Sequence, residues 1–341
     1  MQRPTRYGDE VVTLDRVARE AGVSPSTVSR ILNGTARVSE AKRDAVEQAI
    51  RRLNYQPNAV ARGLASGRTL SIGVLAPDIA SPLYADALRA IEQSLADQGY
   101  WPLFVSRQGD DRHEYAQLCQ LASRQVDGVI LLAGQVEDER LRDYALRTPI
   151  CLIGRQLQAP NVQSVVADIS AGASMAVQHL LDLGHRRIAY IGPAGDSPEA
   201  QACLHGYQQT LRQAGLEFDR RLVLGAEGQG AGGMLAMQRL LDSRLDFSAV
   251  FAGDDQLALG AQLALRRRNL RIPDEMSLVG FGDLPVAPYT TPPLTTVRLP
   301  GHELGSLAAK AIVRLIDGET PRLEVPPLQL VIRESTRRLR R

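Results

Sequence analysis

Residues 24–30 place small polar side chains and one arginine at the start of a predicted helix. Ser24 is a favourable N-cap, and Pro25 stands at the first helical position, where a missing N–H costs nothing. The guanidinium of Arg30 can donate paired hydrogen bonds to a guanine, and the small residues permit close approach to base edges. These small residues are Ser24, Pro25, Ser26, Thr27 and Ser29. The segment therefore suits a recognition helix for the DNA major groove, and for each residue taken singly a solvated helix surface is the alternative.

That helix is the second of three short helices that the pattern predicts. Thr13 can cap the first helix, and Leu14 lies on its apolar face. The second helix is expected to stop before Asn33, which a glycine follows. The third opens at Ser39 and carries an apolar stripe at helical spacing. We therefore predict an all-α head with a helix-turn-helix over residues 11–56.

Residues 57–69 differ in character from the segments on either side. Pro57 ends the third helix, and Asn58 can cap a new one. The stretch from Asn58 to Ala65 is short for a helix, because isolated helices below about 12 residues are marginal in water. We expect a hinge helix or linker that becomes ordered only when something holds it.

From Leu70 onward, short apolar runs alternate with amphipathic helical segments, the pattern of parallel sheets covered on both faces. Because the rhythm restarts after Asp168, we predict an α/β body over residues 70–335 made of two similar lobes. The N-lobe is expected at about 70–168 plus 298–325, and the C-lobe at about 169–297 plus 326–335. The apolar runs lie at 70–76, 102–105, 127–133, 149–154, 186–192, 221–225, 248–253 and 276–282. Ligands of open α/β sheets bind beyond the carboxyl ends of the strands, so the predicted site is the cleft between the lobes.

The charge is unevenly distributed along the chain. Residues 1–68 carry 12 lysines and arginines against 7 acidic residues, whereas the rest of the chain carries 28 against 31. A basic head on a mildly acidic body indicates a polyanionic partner for the head, although an excess of this size is also common on solvated faces.

Several other classes of protein are disfavoured. No apolar run approaches the length of about 20 residues that a membrane span needs, and residues 1–10 lack the apolar core of a secretion signal. We therefore expect a cytoplasmic protein with no membrane partner.

Cys119, Cys151 and Cys203 are far apart and odd in number, which predicts reduced thiols and no metal site. No GxSxG, HExxH or Walker A motif occurs, so we expect no enzymatic activity and no cofactor.

Two alternatives stay open on the residues alone. The stretch 228–233 matches GxGxxG and precedes a predicted helix, with Asp254 following at roughly the distance that a dinucleotide-binding enzyme requires. No histidine, lysine or tyrosine constellation for hydride transfer accompanies it. A secreted solute-binding protein would also have a two-lobed body, but the head and the lack of a signal argue against that class.

The stretch TLDRVAREAGVSPSTVSRILNG at 13–34 and the segment after it, as far as ARGLASGRT, closely resemble the head and hinge of the LacI/GalR (lac repressor/galactose repressor) family. The resemblance extends from residue 13 to about 335. It implies a periplasmic-binding-protein-like body and a transcriptional repressor, bound as a homodimer to pseudo-palindromic double-stranded operator DNA and controlled allosterically by a small-molecule effector. Further similar stretches are GVLAPDIASPLYADAL at 73–88, LGHRRIAYIG at 183–192, FAGDDQLALGA at 251–261, VGFGD at 279–283 and PPLTTV at 292–297.

The resemblance also implies roles for residues of the head and hinge. Pro25 and Ser26 match positions that select the operator sequence, and Leu64 matches a leucine that wedges into the minor groove and bends the duplex. Packing of Leu64 on the body is the alternative. The expected DNA-binding set is Thr13, Leu14, Ser24, Pro25, Ser26, Thr27, Ser29, Arg30, Asn33, Asn58, Ala61 and Leu64.

Effector contacts in the family lie at strand ends that face the cleft. The matching set here is Asp78, Ser81, Tyr84, Arg155, Cys203, Asp254, Gly282 and Asp283. Asp255, which follows, also matches such a position, and capping of the next helix is the alternative for it. Three positions depart from the sugar-binding pattern: Cys203 replaces an arginine, Asp254 replaces an asparagine, and Gly282 replaces an aspartate. A polyol, a sugar acid held by Arg155 and a non-sugar metabolite are therefore all open as effectors.

Overall fold

The structure, a computed structural model, describes residues 12–32, 38–55, 68–107, 111–195, 197–227 and 230–340. The chain separates into two compact units, Met1–Thr69 and Leu70–Arg341. We call the first unit the head and the second the body, and each is considered by itself.

The described part of the head contains three helices around a small aliphatic core. Thr13 caps the first helix by accepting a hydrogen bond from the backbone N–H of Arg16 at 3.4 Å, and Pro25 opens the second, as predicted. The helices are α1 Leu14–Glu20, α2 Pro25–Leu32 and α3 Glu40–Leu53. The buried residues are Val17, Ala18, Val28, Val46 and Ala49.

The body consists of two sheets with helices on their faces. Its strands are β1 Ser71–Ala76, β2 Trp101–Ser106, β3 Gly128–Leu132, β4 Ile150–Ile153, β5 Val162–Val165, β6 Ile188–Pro193, β7 Val223–Ala226, β8 Ala249–Ala252, β9 Ser277–Gly282, β10 Thr295–Arg298 and β11 Gln329–Val331. Its helices are α4 Pro82–Ala96, α5 Asp111–Ser123, α6 Asp138–Ala145, α7 Ile169–Asp182, α8 Pro198–Gln213, α9 Gly230–Asp242, α10 Asp255–Arg267 and α11 Gly301–Ile316, with 3₁₀ turns at Arg220–Leu222 and Ala287–Tyr289.

The two sheets define two lobes. The N-lobe sheet has the order β2-β1-β3-β4-β5 and is parallel throughout. The C-lobe sheet has the order β11-β10-β9-β8-β6-β7 and is parallel except for β11. After β10 the chain returns to the N-lobe, where α11 packs on α4 and on the N-lobe sheet. The predicted class, an α/β body with parallel sheets, is confirmed.

All eight apolar runs form strands, whereas β5, β10 and β11 were missed. These three are short and carry polar residues, so their apolar signal is weak. In β10 the buried hydroxyl of Thr296 donates a hydrogen bond to the carboxylate of Asp255, at 2.6 Å. That partner lies 41 positions away in the sequence, and a local pattern does not reveal it.

The membrane expectation can be compared with the helices that the structure describes. None of them combines the length and the apolar character that crossing a bilayer would need.

Helices of the body approach one another closely at glycines. A Cβ atom built on Gly305 of α11 would lie 2.3 Å from the backbone oxygen of Ala87 in α4. A Cβ built on Gly206 of α8 would lie 2.3 Å from the backbone oxygen of Ser170 in α7. Because a backbone oxygen cannot move as a flexible side chain can, these positions set the distance between paired helices.

We expect Gly305→Ala to lower the free energy of unfolding of the body by about 2 kcal/mol, because α4 and α11 must separate to accept the methyl group. Denaturant titration followed by circular dichroism measures this change. Gly301→Ala is the matched control on the same helix, since its Cβ would meet its nearest atom at 3.5 Å, an ordinary contact. Equal stability of the two variants would contradict close packing at Gly305.

Candidate functional site

The second helix of the head presents the residues that the sequence singled out for DNA. Pro25, Ser26 and Arg30 are exposed, whereas Thr27 and Ser29 are half-buried. The hydroxyl of Ser24 accepts a hydrogen bond from the backbone N–H of Thr27 at 3.3 Å, which holds the first turn of α2. The exposed start of α2 thus presents small side chains, as insertion into a groove requires.

The remaining predicted DNA contacts divide into two groups. Thr13 is exposed beside the start of α1, and Leu14 is half-buried against the core of the head. The other predicted residues lie outside the described residues; they are Asn33, Asn58, Ala61 and Leu64.

A cavity of about 410 Å³ lies between the two lobes of the body. This volume falls in the range of roughly 300–1,000 Å³ that small-molecule sites occupy. Residues from the carboxyl ends of strands in both sheets line it, where the sequence placed the ligand site. Four of the predicted effector residues line the cavity: Ser81, Tyr84, Cys203 and Asp254.

The other four predicted effector residues are not among the described residues that line the cavity. Asp78 accepts a hydrogen bond from the backbone N–H of Ala80 at 2.9 Å and so forms a local turn. Gly282 ends β9 with a φ of 126°, a backbone conformation that disfavours other residues. The local turn explains the aspartate at position 78, and the positive φ explains the glycine at position 282.

Arg155 and Asp283 were expected at the ligand and instead bind protein groups. The guanidinium of Arg155 donates to the backbone oxygens of Gly134 and Val136 and pairs with the carboxylate of Asp138. These contacts hold the guanidinium of Arg155 against the segment after β3. In this arrangement the guanidinium is not available to pair with a ligand carboxylate.

Asp283 is only 7 % exposed and pairs with two arginines of the C-lobe. Its two carboxylate oxygens accept from Arg298 Nε at 2.7 Å and from Arg333 Nη2 at 2.6 Å. The residue therefore ties β9 to β10 and to the segment after β11.

Arg107 lines the cavity and was not singled out from the sequence. It follows β2 directly, so its place at the carboxyl end of a strand was a signal that could have found it. Nη1 of Arg107 is buried and has no hydrogen-bond partner among the described residues. The same nitrogen forms a long ion pair with Oε2 of Glu114, at 4.0 Å.

Glu199 is a second lining residue that the sequence analysis missed. It stands in the first turn of α8, after the Ser197 cap, and its side chain is half-buried. Burial raises the pKa of its carboxyl group, while hydrogen bonds within the first turn and the positive charges of Arg107 and Arg155 lower it. Helix starts that follow strand ends are the general signal for such residues.

Tyr84 and Cys203 form part of the less polar lining of the cavity. Burial, followed by the negative charge of Glu199, raises the pKa of Tyr84 to about 12. Burial raises the pKa of the Cys203 thiol to about 12, so the thiol is protonated at neutral pH. Both groups therefore offer hydrogen bonds and apolar contact but no charge.

Asp254 and Asp255 are neighbours with different roles. Asp254 caps α10 by accepting from the backbone N–H of Gln256 at 2.7 Å, and it also lines the cavity. The capping role considered for Asp255 therefore belongs to Asp254. Asp255 is fully buried and accepts from the backbone N–H of Leu284 at 2.7 Å and from the Thr296 hydroxyl.

The glycine-rich stretch 228–233 is explained in part by helix packing. Its first two residues lie outside the described residues, and Gly230 begins α9. A Cβ built on Gly233 would lie 2.1 Å from the backbone oxygen of Leu257 in α10, so close packing requires the glycine. No group of three or more histidine, cysteine or acidic residues that could hold a metal occurs in the described parts of the chain.

A head with an exposed recognition helix and a two-lobed body with an interlobe cavity define a ligand-responsive DNA-binding regulator as the class of protein. Residues 13–58 match the model of bacterial regulatory proteins of the lacI family, and residues 177–336 match a periplasmic binding protein-like domain. The chain belongs to the lacI family of transcriptional regulators, and the relatives found are regulators, not enzymes.

Individual relatives match over nearly the whole chain. The ribose operon repressor of Escherichia coli K12 is 35% identical over 324 residues, which cover 93% of this chain and 98% of the relative. The transcriptional regulator CelR of Thermobifida fusca is 37% identical over 335 residues, covering 95% and 98%.

Among solved structures, the lac repressor dimer bound to operator and the anti-inducer ONPF matches with a TM-score of 0.87 and 27% identity, over 96% of this chain and 100% of that one. A CelR–cellobiose complex matches with a TM-score of 0.71 and 34% identity, over 95% and 99%.

The buried carboxyl group of Asp255 predicts an unusual pH dependence of stability. Burial raises its pKa from 3.8 to about 6 against the opposing effect of its hydrogen bonds. Between about pH 6 and the pKa of Asp255 in the unfolded chain, the folded protein binds the proton more tightly than the unfolded chain does. The free energy of unfolding therefore increases as the pH falls through this range.

We expect the stability of the wild type relative to Asp255→Asn to increase on acidification, by up to about 1.4 kcal/mol per pH unit between pH 6 and pH 4. Urea unfolding of both proteins at pH 7, 6 and 5 measures the difference, in which other titrating groups cancel. A constant difference would show that Asp255 has an ordinary pKa, and a difference that shrinks on acidification would show a lowered one; either result would contradict the prediction.

Proposed function

We propose that the chain is a cytoplasmic repressor that binds a pseudo-palindromic operator as a homodimer and responds to a polyhydroxylated small molecule between its lobes. The relatives support this reading, since they include a ribose operon repressor and regulators solved with operator DNA or with cellobiose. Two heads are needed to bind two half-sites, which explains the dimer.

The effector part of the proposal rests on the buried guanidinium nitrogen of Arg107. A buried donor without a partner costs about 1–3 kcal/mol, and a ligand oxygen in the cavity would recover that free energy. Nη1 has no hydrogen-bond partner among the described residues, and its ion pair with Glu114 is long, at 4.0 Å. This arrangement favours an oxygen-bearing ligand at this end of the cavity.

The other charges favour a neutral ligand over a sugar acid. Arg107 is the one cation that lines the cavity among the described residues, whereas Glu199 and Asp254 bring two carboxylates. Carboxylates accept hydrogen bonds from hydroxyl groups but repel a ligand carboxylate. Because Arg155 is occupied by protein groups, a polyol or neutral glycoside fits better than an acid.

Control of DNA binding requires the effector to change the relation between the lobes. We propose that this change orders or frays the hinge at 57–69, whose residues 68 and 69 alone are described. A coupling free energy of about 1–3 kcal/mol between the two sites would alter operator affinity roughly 5–150-fold.

Genome-wide footprinting of the full chain tests the proposal as a whole. We expect inverted repeats near genes for the uptake or degradation of one class of polyhydroxylated compound. Those compounds should then raise the melting temperature of the protein and change its affinity for the footprinted site. No preference for any double-stranded site at moderate salt, with or without a panel of polyols and glycosides, would refute the proposal.

Arg30→Ala should relax sequence discrimination. We expect the ratio of operator affinity to non-specific affinity to fall about 10–100-fold, because a base-reading arginine contributes roughly 1–3 kcal/mol of specificity. Arg51→Ala is the control, since Arg51 is exposed on α3 and pairs with Glu47. Fluorescence anisotropy with operator and scrambled duplexes measures both ratios; a uniform loss on both duplexes would assign Arg30 to the phosphates.

Leu64→Ala should weaken operator binding and reduce DNA bending while the body keeps its stability. An apolar wedge loses its effect when it is shortened, because it can no longer separate a base step. Anisotropy and gel-shift bending assays on the same operator give the two quantities. Unchanged affinity and bending would contradict a wedge role for Leu64.

A further inference from the structure

Glu199 reaches from one lobe of the body to the other. It belongs to α8 of the C-lobe, whereas Gly154 follows β4 of the N-lobe. A Cβ atom built on Gly154 would lie 2.6 Å from Oε1 of Glu199. The carboxylate therefore occupies the space that any side chain at position 154 would need.

The surroundings of this carboxylate are positive on the N-lobe side. Burial raises the pKa of Glu199, and the charges of Arg107 and Arg155, both in the N-lobe, act against that rise and attract the ionised form across the cleft. Within its own helix, the Ser197 hydroxyl and the backbone N–H of Glu199 do the same. Tyr84 and Asp254 also face this region, as the rise in the pKa of Tyr84 reflects.

Gly154 is suited to this contact for two reasons. Its φ of 84° lies in the region that side chains disfavour, and its missing side chain leaves room for the carboxylate. The approach of Glu199 is close only while the lobes are together, because the two residues belong to different lobes.

We propose that Glu199 is a closure contact, in which its carboxylate seats against Gly154 beside the N-lobe arginines and stabilises the closed arrangement of the lobes. The contact acts in the same cavity as the proposed effector, but it belongs to the body and does not require DNA. Glu199 is thus a positioning residue that sets the balance between closed and open lobes before and after a ligand enters.

The competing explanation is local. An acidic residue in the first turn of a helix stabilises that helix through its dipole, and Glu199 would then matter for folding alone. The two explanations differ in what they predict for cavity access and for global unfolding.

Cys203 provides an internal reporter of cavity access, and Cys151 provides one of global unfolding. Cys203 is 3% exposed and lines the cavity, whereas Cys151 is fully buried in β4. In a Cys119→Ser background, which removes the exposed thiol, the rate of alkylation by iodoacetamide at each site can be followed by mass spectrometry.

In the Glu199→Gln variant we expect Cys203 to be alkylated about tenfold faster than in the parent protein while the Cys151 rate stays unchanged, since the attraction of the carboxylate to the positive charges of Arg107 and Arg155 is lost. Gly154→Ala should do the same with the carboxylate intact, because it acts by steric exclusion. Glu217→Gln, an exposed carboxylate after α8, is the matched control and should leave both rates unchanged.

Unchanged Cys203 rates in both variants would overturn the proposal. Equal acceleration at Cys203 and Cys151 would also overturn it, because Glu199 would then stabilise the fold and not the closed lobes. Neither result bears on operator selection, so a failure here is distinguishable from a failure of the proposed function.

Discussion

The body depends on one constraint, that helices cover both faces of the central strands in two largely parallel sheets. Each buried strand must satisfy its backbone within the sheet, and each face is sealed by apolar side chains. Polar side chains that can contact a ligand are then found mainly where strands end. Because the carboxyl ends of both sheets border one cavity, the ligand-binding chemistry collects there and nowhere along the strands.

Within that arrangement, burial decides what each charged residue does. Asp254 and Asp255 are adjacent, yet one caps a helix at the cavity and the other is sealed between β9 and β10. Arg107 and Arg155 both follow strands of the N-lobe, yet Arg155 donates to three protein groups while Arg107 keeps a buried nitrogen without a hydrogen-bond partner among the described residues. The residue type is the same in each pair, and the surrounding donors and acceptors assign the role.

The cavity also links binding to the geometry of the body. A carboxylate from the C-lobe lies against a glycine of the N-lobe, so a polar group of the lining doubles as a contact between the lobes. Desolvation makes such a group costly unless it finds a partner, and both a ligand and the opposite lobe can supply one. Occupancy of the cavity and separation of the lobes are therefore expected to be coupled through the same few side chains.

The amino-acid sequence by itself determined the class of the protein. The N-cap and proline of α2, the apolar stripes of the head and eight apolar strands are local patterns, and each survives in the structure because its cause lies within a few residues. The motifs of the head and body also indicated the family. Strands such as β5 and β10 escaped, because their polar residues become acceptable only through partners far along the chain.

The tertiary structure alone decided which side chains line the cavity. Ser81, Tyr84, Cys203 and Asp254 do so as expected from the sequence, but Arg155 and Asp283 are bound to protein groups that no local pattern connects to them. Residues that follow one strand end or begin one helix have the same sequence signal whether they face a cavity or a neighbouring loop. Only the packing of two distant sheets distinguishes the two cases, because the direction of a side chain depends on the partners that folding brings to it.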